Sequence, residues 1–346
     1  MTDEQIAVEA VDLVKRFGDF TAVDGVSFAV PTGTVLGMLG PNGAGKTTTV
    51  RMMTTLSVPT AGTARINGYD VREQPDLVRR SMGLTGQAAT VDELLTGREN
   101  LAMIGGLYGI GRKELRARSE ELLEQFSLTD AGDKVVRDYS GGMRRRIDLA
   151  VSLISSPPVL FLDEPTTGLD PHSRNELWDV LRGLVAQGTT LVLTTQYLEE
   201  ADQLADRIVV IDRGRIIADG TPLQLKDQAG SASVVATLTD AADLAAAHEL
   251  IAPVAAALRA ATGSGAASGS SGSSGSSGVE IFVDEGARSL TIPAGGLADL
   301  TRVAQVLDES GIAVDDLGLS RPSLDDVFLS LTGHRTTPDE TTEEAS

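Results

Sequence analysis

Short apolar runs punctuate the first two-thirds of the chain. Thr34–Leu39, Val159–Leu162, Thr190–Thr194 and Ile208–Ile211 are rich in Leu, Ile or Val and are bounded by Gly, Asp or Thr. Such runs are predicted as strands buried on both faces, the mark of a parallel sheet. Stretches between them, such as Asn175–Ala186, carry helical periodicity, which gives the βα alternation of a sheet covered by helices. Residues from about 92 to 128 break the alternation. There Glu114–Phe126 sets Leu115, Leu122, Leu123 and Phe126 on one helical face, so the segment reads as a helical insertion opening a subdomain that extends to about 150.

Beyond residue 228 the pattern changes. Ser233–Leu238 alternates as a strand, and Asp240 is placed to cap a long Ala/Leu helix reaching Ala260. Val279–Val283 and Ser289–Ile292 read as strands, Leu297–Leu307 as a helix and Ile312–Leu319 as a strand. Ser323–Leu331 closes as a helix with Asp325 and Asp326 in its first turn. The order βαββαβα predicts a small ferredoxin-like α+β domain. We therefore expect an α/β domain over 1–228, a second domain over 229–335 and a disordered acidic tail over 336–346. Within the second domain Gly263–Gly278 is a tract whose core, Ser268–Gly278, is entirely Ser and Gly. It cannot bury enough apolar surface to order and is expected to be a flexible linker. Its repeated Ser-Ser-Gly looks like an artificial linker that replaces or pads a native loop, and reads equally as native sequence.

Charge sharpens the division. Net charge is −20, and more than half of it falls on the last third of the chain, where basic residues almost vanish after Lys226. So acidic a surface, with only 3% aromatic residues, argues against nucleic acid as a partner. The absence of cysteine and the wide spacing of His172, His248 and His334 exclude disulfides and argue against a histidine-built metal centre. No window is apolar enough to span a membrane, and Met1–Glu9 lacks the pattern of a secretory signal. The expected location is the cytoplasm, with any membrane association made through a partner.

Three segments carry chemistry. Gly40-Pro41-Asn42-Gly43-Ala44-Gly45-Lys46-Thr47 fits Gly-x-x-x-x-Gly-Lys-Ser/Thr between a strand and a helix. Small residues let backbone N–H groups curl around phosphate oxygens, and the helix N-terminus adds its positive dipole end. Lys46 supplies a point charge to the β and γ phosphates, and the Thr47 hydroxyl can ligate Mg²⁺. Val159-Leu-Phe-Leu-Asp163-Glu164 sets Asp163 at a strand end to hold the metal's water shell, and Glu164 beside it to activate an attacking water. A solvated strand end is the plainer alternative. Ser140-Gly141-Gly142 opens the helix that continues through Arg144-Arg145-Arg146. Alone it fits a capped helix with a solvated arginine face as well as a second phosphate site.

In this order and spacing, the phosphate loop, Gln87, Ser140-Gly-Gly, Asp163-Glu164, Gly168-Leu169-Asp170 and the Gln196 segment resemble the nucleotide-binding subunit of ATP-binding cassette (ABC) transporters, over roughly residues 5–225. The resemblance implies a P-loop NTPase fold with a helical subdomain. It implies that Phe17 stacks on adenine and that Gly40–Thr48, including Thr48, cradle the phosphates of ATP. By the same resemblance Gln87 touches Mg²⁺ and the attacking water, Asp163 holds the metal, and Glu164 is the general base. Ser140, Gly141 and Gly142 would contact the γ-phosphate bound by a second copy of the chain, and Gly168–Asp170 would link the two sites of that homodimer. The helical insertion would dock on a transmembrane permease. Gln196 stands where the family usually has histidine; it can donate a hydrogen bond but cannot carry charge or shuttle a proton. Thr195–Asp202, Tyr139–Arg146 and Arg321–Phe328 narrow the likeness to the daunorubicin-resistance ATP-binding subunits of actinobacterial exporters. In that subfamily the glutamine is a trait, and the carboxy-terminal domain is an assembly or regulatory module.

The expected function is ATP hydrolysis driving export of a hydrophobic small molecule (drug, antibiotic or lipid) through a separate permease, on the cytoplasmic face of the membrane. Two alternatives stand beside it. One is a soluble cassette protein acting on ribosomes or DNA, which one cassette and an acidic surface disfavour. The other is a regulator that binds ATP without turnover, which Glu164 disfavours.

Overall fold

The computed structural model describes residues 5–86, 91–229, 232–262, 281–284, 286–294, 296–320 and 323–332. Its contacts divide the chain into two compact units, the first running to Pro222 and the second starting at Leu223. Gln87, the Gly263–Gly278 tract and the 336–346 tail lie outside the described residues.

The first unit opens with two long antiparallel strands, β1 (Ile6–Phe17) and β2 (Phe20–Pro31), followed by β3 (Val35–Leu39), α1 (Lys46–Met53), β4 (Ala61–Ile66) and β5 (Tyr69–Asp70). α2 (Pro75–Arg80) and β6 (Met82–Thr85) then lead to α3 (Gly97–Leu107), α4 (Arg112–Gln125) and α5 (Gly141–Ser152). The unit is completed by β7 (Val159–Asp163), α6 (Pro171–Ala186), β8 (Thr190–Thr195), α7 (Leu198–Leu204), β9 (Arg207–Asp212) and β10 (Arg215–Gly220). One sheet runs β10-β9-β3-β8-β7-β6, and all its pairings except β9–β10 are parallel. Every residue of β3, β7 and β8 is buried, as expected of strands covered on both faces. A second sheet, β2-β1-β4-β5, is antiparallel. Its inner residues, among them Val8, Leu13, Val26 and Ile66, share one core with Met38, Phe161 and Val192 of the parallel sheet and with Met52 and Met53 of α1.

Register decides where the chemistry sits. Leu39 of β3 pairs with Thr195 of β8 and Val210 of β9, and Asp163 of β7 pairs with Thr194 of β8. The carboxyl ends of β3, β7 and β8 are thus level, and the phosphate loop leaves β3 at the edge where open α/β sheets bind ligands. The insertion forms as read: α3 starts with a reciprocal capping box between Thr96 and Glu99, and Leu101, Leu115, Leu122, Leu123, Phe126 and Ile147 are all buried.

α8 (Pro222–Ala229) starts at the boundary, and the second unit continues with β11 (Ser233–Leu238), α9 (Leu244–Thr262), β12 (Phe282–Asp284), β13 (Ser289–Pro293), α10 (Leu297–Glu309), β14 (Val314–Ser320) and α11 (Leu324–Thr332). The sheet order β12-β13-β11-β14 with antiparallel neighbours is that of the split βαβ fold. Val234, Ala236, Leu238, Leu290 and Ile292 pack against Leu244, Ala247, Ile251, Val303 and Leu307 of α9 and α10. Asp240 caps a single 3₁₀ turn, Ala241–Asp243, ahead of α9, accepting from the Ala242 amide. The expected long helix is therefore entered through a tighter turn.

Candidate functional site

The phosphate loop is shaped by two close approaches. A Cβ at Gly40 would lie 2.2 Å from the Ile211 carbonyl oxygen, and at Gly45 a φ of +109° combines with a Cβ position 2.6 Å from the Ala22 oxygen. No larger residue fits either place without moving backbone. The loop therefore turns tightly into α1, and Lys46 falls in the first turn of that helix. Its ammonium is buried and donates to the carbonyls of Gly40 at 2.7 Å and Pro41 at 3.2 Å. Burial pushes the Lys46 pKa below its ordinary value, and the carboxylates of Glu164 and Asp163 act in the opposite direction.

Asp163 is the hub on the facing strand. It is buried, so the alternative of a solvated strand end does not hold. Its Oδ1 accepts from the Thr47 hydroxyl at 3.1 Å and, at shorter range, from the Thr194 hydroxyl. One carboxylate oxygen thus ties α1 to the ends of β7 and β8. Glu164 follows in the left-handed region, with φ +51°, a conformation that disfavours a side chain. Its amide donates to the Thr194 carbonyl at 3.0 Å, fixing the turn. Its Oε1 lies 4.0 Å from Lys46 Nζ, and Thr167 Oγ1 approaches Oε2 at 3.5 Å. Lys46, Thr47, Asp163 and Glu164 therefore form one group, as the sequence suggests, and Thr194 joins them. Paired hydroxyl and carboxylate oxygens of this kind are hard donors suited to Mg²⁺.

The other expected residues are placed around this group. Ser140 caps α5, its hydroxyl accepting from the Met143 amide at 3.3 Å. A cleft of about 440 Å³ brings Gly141 and Arg145 together with Glu164, Thr167, Gly168 and Leu169. Asp170 caps α6 and accepts from both the amide and the hydroxyl of Ser173, which hold its carboxyl below the usual range. A Cβ on Gly142 would meet that same Ser173 hydroxyl at 2.7 Å. Gln196 is half-buried just past β8, ahead of Tyr197, whose ring lies 5.3 Å from the Arg174 guanidinium carbon. Phe17 is exposed at the end of β1, and the Lys15 ammonium stands 5.0 Å from its ring centre. Among the described residues no hydrogen bond joins Phe17, Ser140 or Gln196 to the Lys46–Glu164 group.

Two participants escaped the reading of the sequence. Thr194 looked like one more strand residue; only the β7–β8 register pairs it with Asp163. Arg145 looked like part of a solvated face, but its guanidinium turns inward and donates to four backbone carbonyls. Glu200, on the segment after Gln196, is also fully buried, 3.4 Å from Trp178 Nε1, and burial pushes its carboxyl upward.

Comparison with known proteins follows the same lines. Residues 23–167 match the ABC transporter family. The chain is 51% identical over 340 residues to a daunorubicin resistance ATP-binding protein of Streptomyces coeruleorubidus, covering 98% of this chain and 99% of that protein. It is 48% identical over 340 residues to a daunorubicin/doxorubicin resistance ATP-binding protein of Streptomyces peucetius, covering 98% and 96%. Among solved structures, an ATP-binding subunit of an ABC transporter superposes with a TM-score of 0.59 at 29% identity, covering 64% of this chain and 92% of that one. Motif order, strand register and near full-length identity agree: the chain belongs to the ATP-hydrolysing, ATP-binding subunits of the ABC transporter family.

Proposed function

We propose that the chain works as a homodimer that hydrolyses ATP to drive export of a hydrophobic small molecule through a separate membrane permease. The observation that carries this is the grouping of Lys46, Thr47, Asp163 and Glu164 at the mouth of the phosphate loop. Lys46 would release the loop carbonyls to meet the β and γ phosphates. Glu164 would take a proton from water as the water oxygen bonds to the γ-phosphorus and the bond from that phosphorus to the ADP oxygen breaks. Thr47, Asp163 and Gln87 are the residues that would hold Mg²⁺, which when bound offsets phosphate charge. Ser140–Gly142 would reach the γ-phosphate held by the second copy, Gly168–Asp170 would connect the two sites, and Phe17 would stack on adenine.

The partner surface is supported by exposed Leu94, Met103, Leu107 and Tyr108 along α3 and its approach, apolar groups that a permease would cover. No helix among the described residues is long and apolar enough to cross a membrane. By its likeness to transporter ATP-binding subunits we place the chain on the cytoplasmic face through that permease. The 229–335 domain is assigned to assembly or regulation. Relatives that confer daunorubicin and doxorubicin resistance suggest an anthracycline-like cargo. Inside-out vesicles carrying the chain with its neighbouring permease should accumulate an anthracycline when ATP and Mg²⁺ are supplied. Equal accumulation by vesicles holding the permease alone would remove the chain from transport.

Gln196 sets the rate in this scheme. A glutamine amide can donate to the γ-phosphate but stays neutral, so turnover should be slow and nearly flat with pH around neutrality. Gln196→His is expected to raise ATP turnover severalfold and to add a pH dependence near the imidazole range. Phosphate release across pH 5.5–8.5 reads both; a rate that is unchanged or lower would count against the assignment.

A further inference from the structure

Arg145 lies in the second turn of α5, past the Ser140 cap, with its side chain only 14% exposed. Its Nε donates to the Pro165 carbonyl at 2.8 Å and Nη1 to the Gly86 carbonyl at 2.8 Å; Nη2 donates to those of Asp163 at 3.2 Å and Glu164 at 3.0 Å. Asp148, one turn further along α5, places a carboxylate oxygen 3.8 Å from Nη1. One guanidinium thus reaches three consecutive carbonyls around Glu164 and, across from them, the end of β6. This is a task for a planar fork with donors on several edges; a lysine ammonium is a single point and cannot span it.

The chain needs such a tie because Glu164 holds a left-handed backbone. That conformation persists only where surroundings enforce it. The Thr194 bond to the Glu164 amide enforces it from the sheet side, and Arg145 enforces it from the helical side by holding the carbonyls of Asp163, Glu164 and Pro165. Arg145 is also on the helix that Ser140-Gly-Gly opens, and Gly86 directly precedes Gln87. Any shift of α5 relative to the sheet therefore pulls on the turn that carries the base.

We propose that Arg145 is a positioning residue: it sets the Glu164 carboxylate for water activation and couples its placement to the α5 helix. This rests on the reading of Glu164 as general base. The test is ATP hydrolysis and ATP affinity of the full chain carrying Arg145→Met or Arg145→Lys, each alone and combined with Glu164→Gln. Misplacing the base should lower kcat roughly tenfold to a hundredfold, with KM for ATP little changed. Lysine, which keeps the charge but not the fork, should fail to rescue. In the Glu164→Gln background neither substitution should lower the residual rate further, because the group it positions is gone. A folded Arg145→Lys or Arg145→Met protein with wild-type kcat overturns the proposal. So does a loss in the Glu164→Gln background as large as in the wild type, which marks a general structural role. Should Arg145→Met fail to fold, Arg145→Lys decides alone. Failure of the underlying reading shows separately, as wild-type turnover by Glu164→Gln itself.

Discussion

Glu164→Gln is expected to cut steady-state phosphate release to a small residual rate while ATP binding survives. The loss should be roughly 10²- to 10⁴-fold, the usual weight of a positioned general base. The amide is isosteric, so the left-handed turn, the Thr194 bond to the Glu164 amide and the Arg145 contacts all remain. Only proton acceptance is lost. Nucleotide-binding titration and size-exclusion chromatography with ATP and Mg²⁺ should show a bound and dimeric protein. A mutant turning over at the wild-type rate would remove the carboxylate from the chemistry. A second consequence follows for Lys46. The Glu164 carboxylate is one of two charges opposing the downward push of burial on the Lys46 ammonium. Neutralising it should lower the Lys46 pKa further, so the alkaline limb of ATP affinity should begin at lower pH in the mutant than in the wild type. Both limbs should begin below the ordinary lysine value of 10.5.

Lys46→Met should weaken ATP binding itself. A charge-assisted hydrogen bond is worth about 1.5–3 kcal/mol, which is roughly a tenfold to 150-fold loss of affinity from one contact. The ammonium's bonds to the carbonyls of Gly40 and Pro41, which it gives up on meeting the phosphates, offset part of that loss. Methionine fills the buried stem, so the fold should hold and thermal unfolding without nucleotide should be little changed. Calorimetric titration with ATP checks the first point and a melting curve the second. Affinity within a factor of a few of wild type would mean that the loop amides alone hold the triphosphate.

The strands that carry the site were legible because burial on both faces leaves an unmistakable signature. β3, β7 and β8 are continuous apolar runs, and the residues ending or following them are the candidate site residues. The strands of the antiparallel layer were not legible. β1 carries register shifts between Ala10 and Leu13 and again between Leu13 and Val14, and Asp12 in the left-handed region breaks its alternation. A period-two pattern interrupted in this way does not declare itself. The small second domain was readable because its alternation is clean: Val234, Ala236 and Leu238 face in, while Val235 and Thr237 do not. Arg145 was hidden for a different reason. Three consecutive arginines on a helix look like a solvated face, and only tertiary placement shows which one turns inward. Thr194 was hidden likewise, since a threonine in a strand has no mark that singles it out until a neighbouring strand supplies the carboxylate.

The backbone at position 164 has a preference of its own. A side chain held in the left-handed region costs on the order of 1 kcal/mol that glycine would avoid. Selection for ruggedness alone would drift this turn toward glycine or asparagine, and on the role proposed for Glu164 each such gain would silence the subunit. Thermal robustness and turnover are thus set against each other at a single codon. A hardier version of this protein has to find its stability in the sheets and helices, away from that turn.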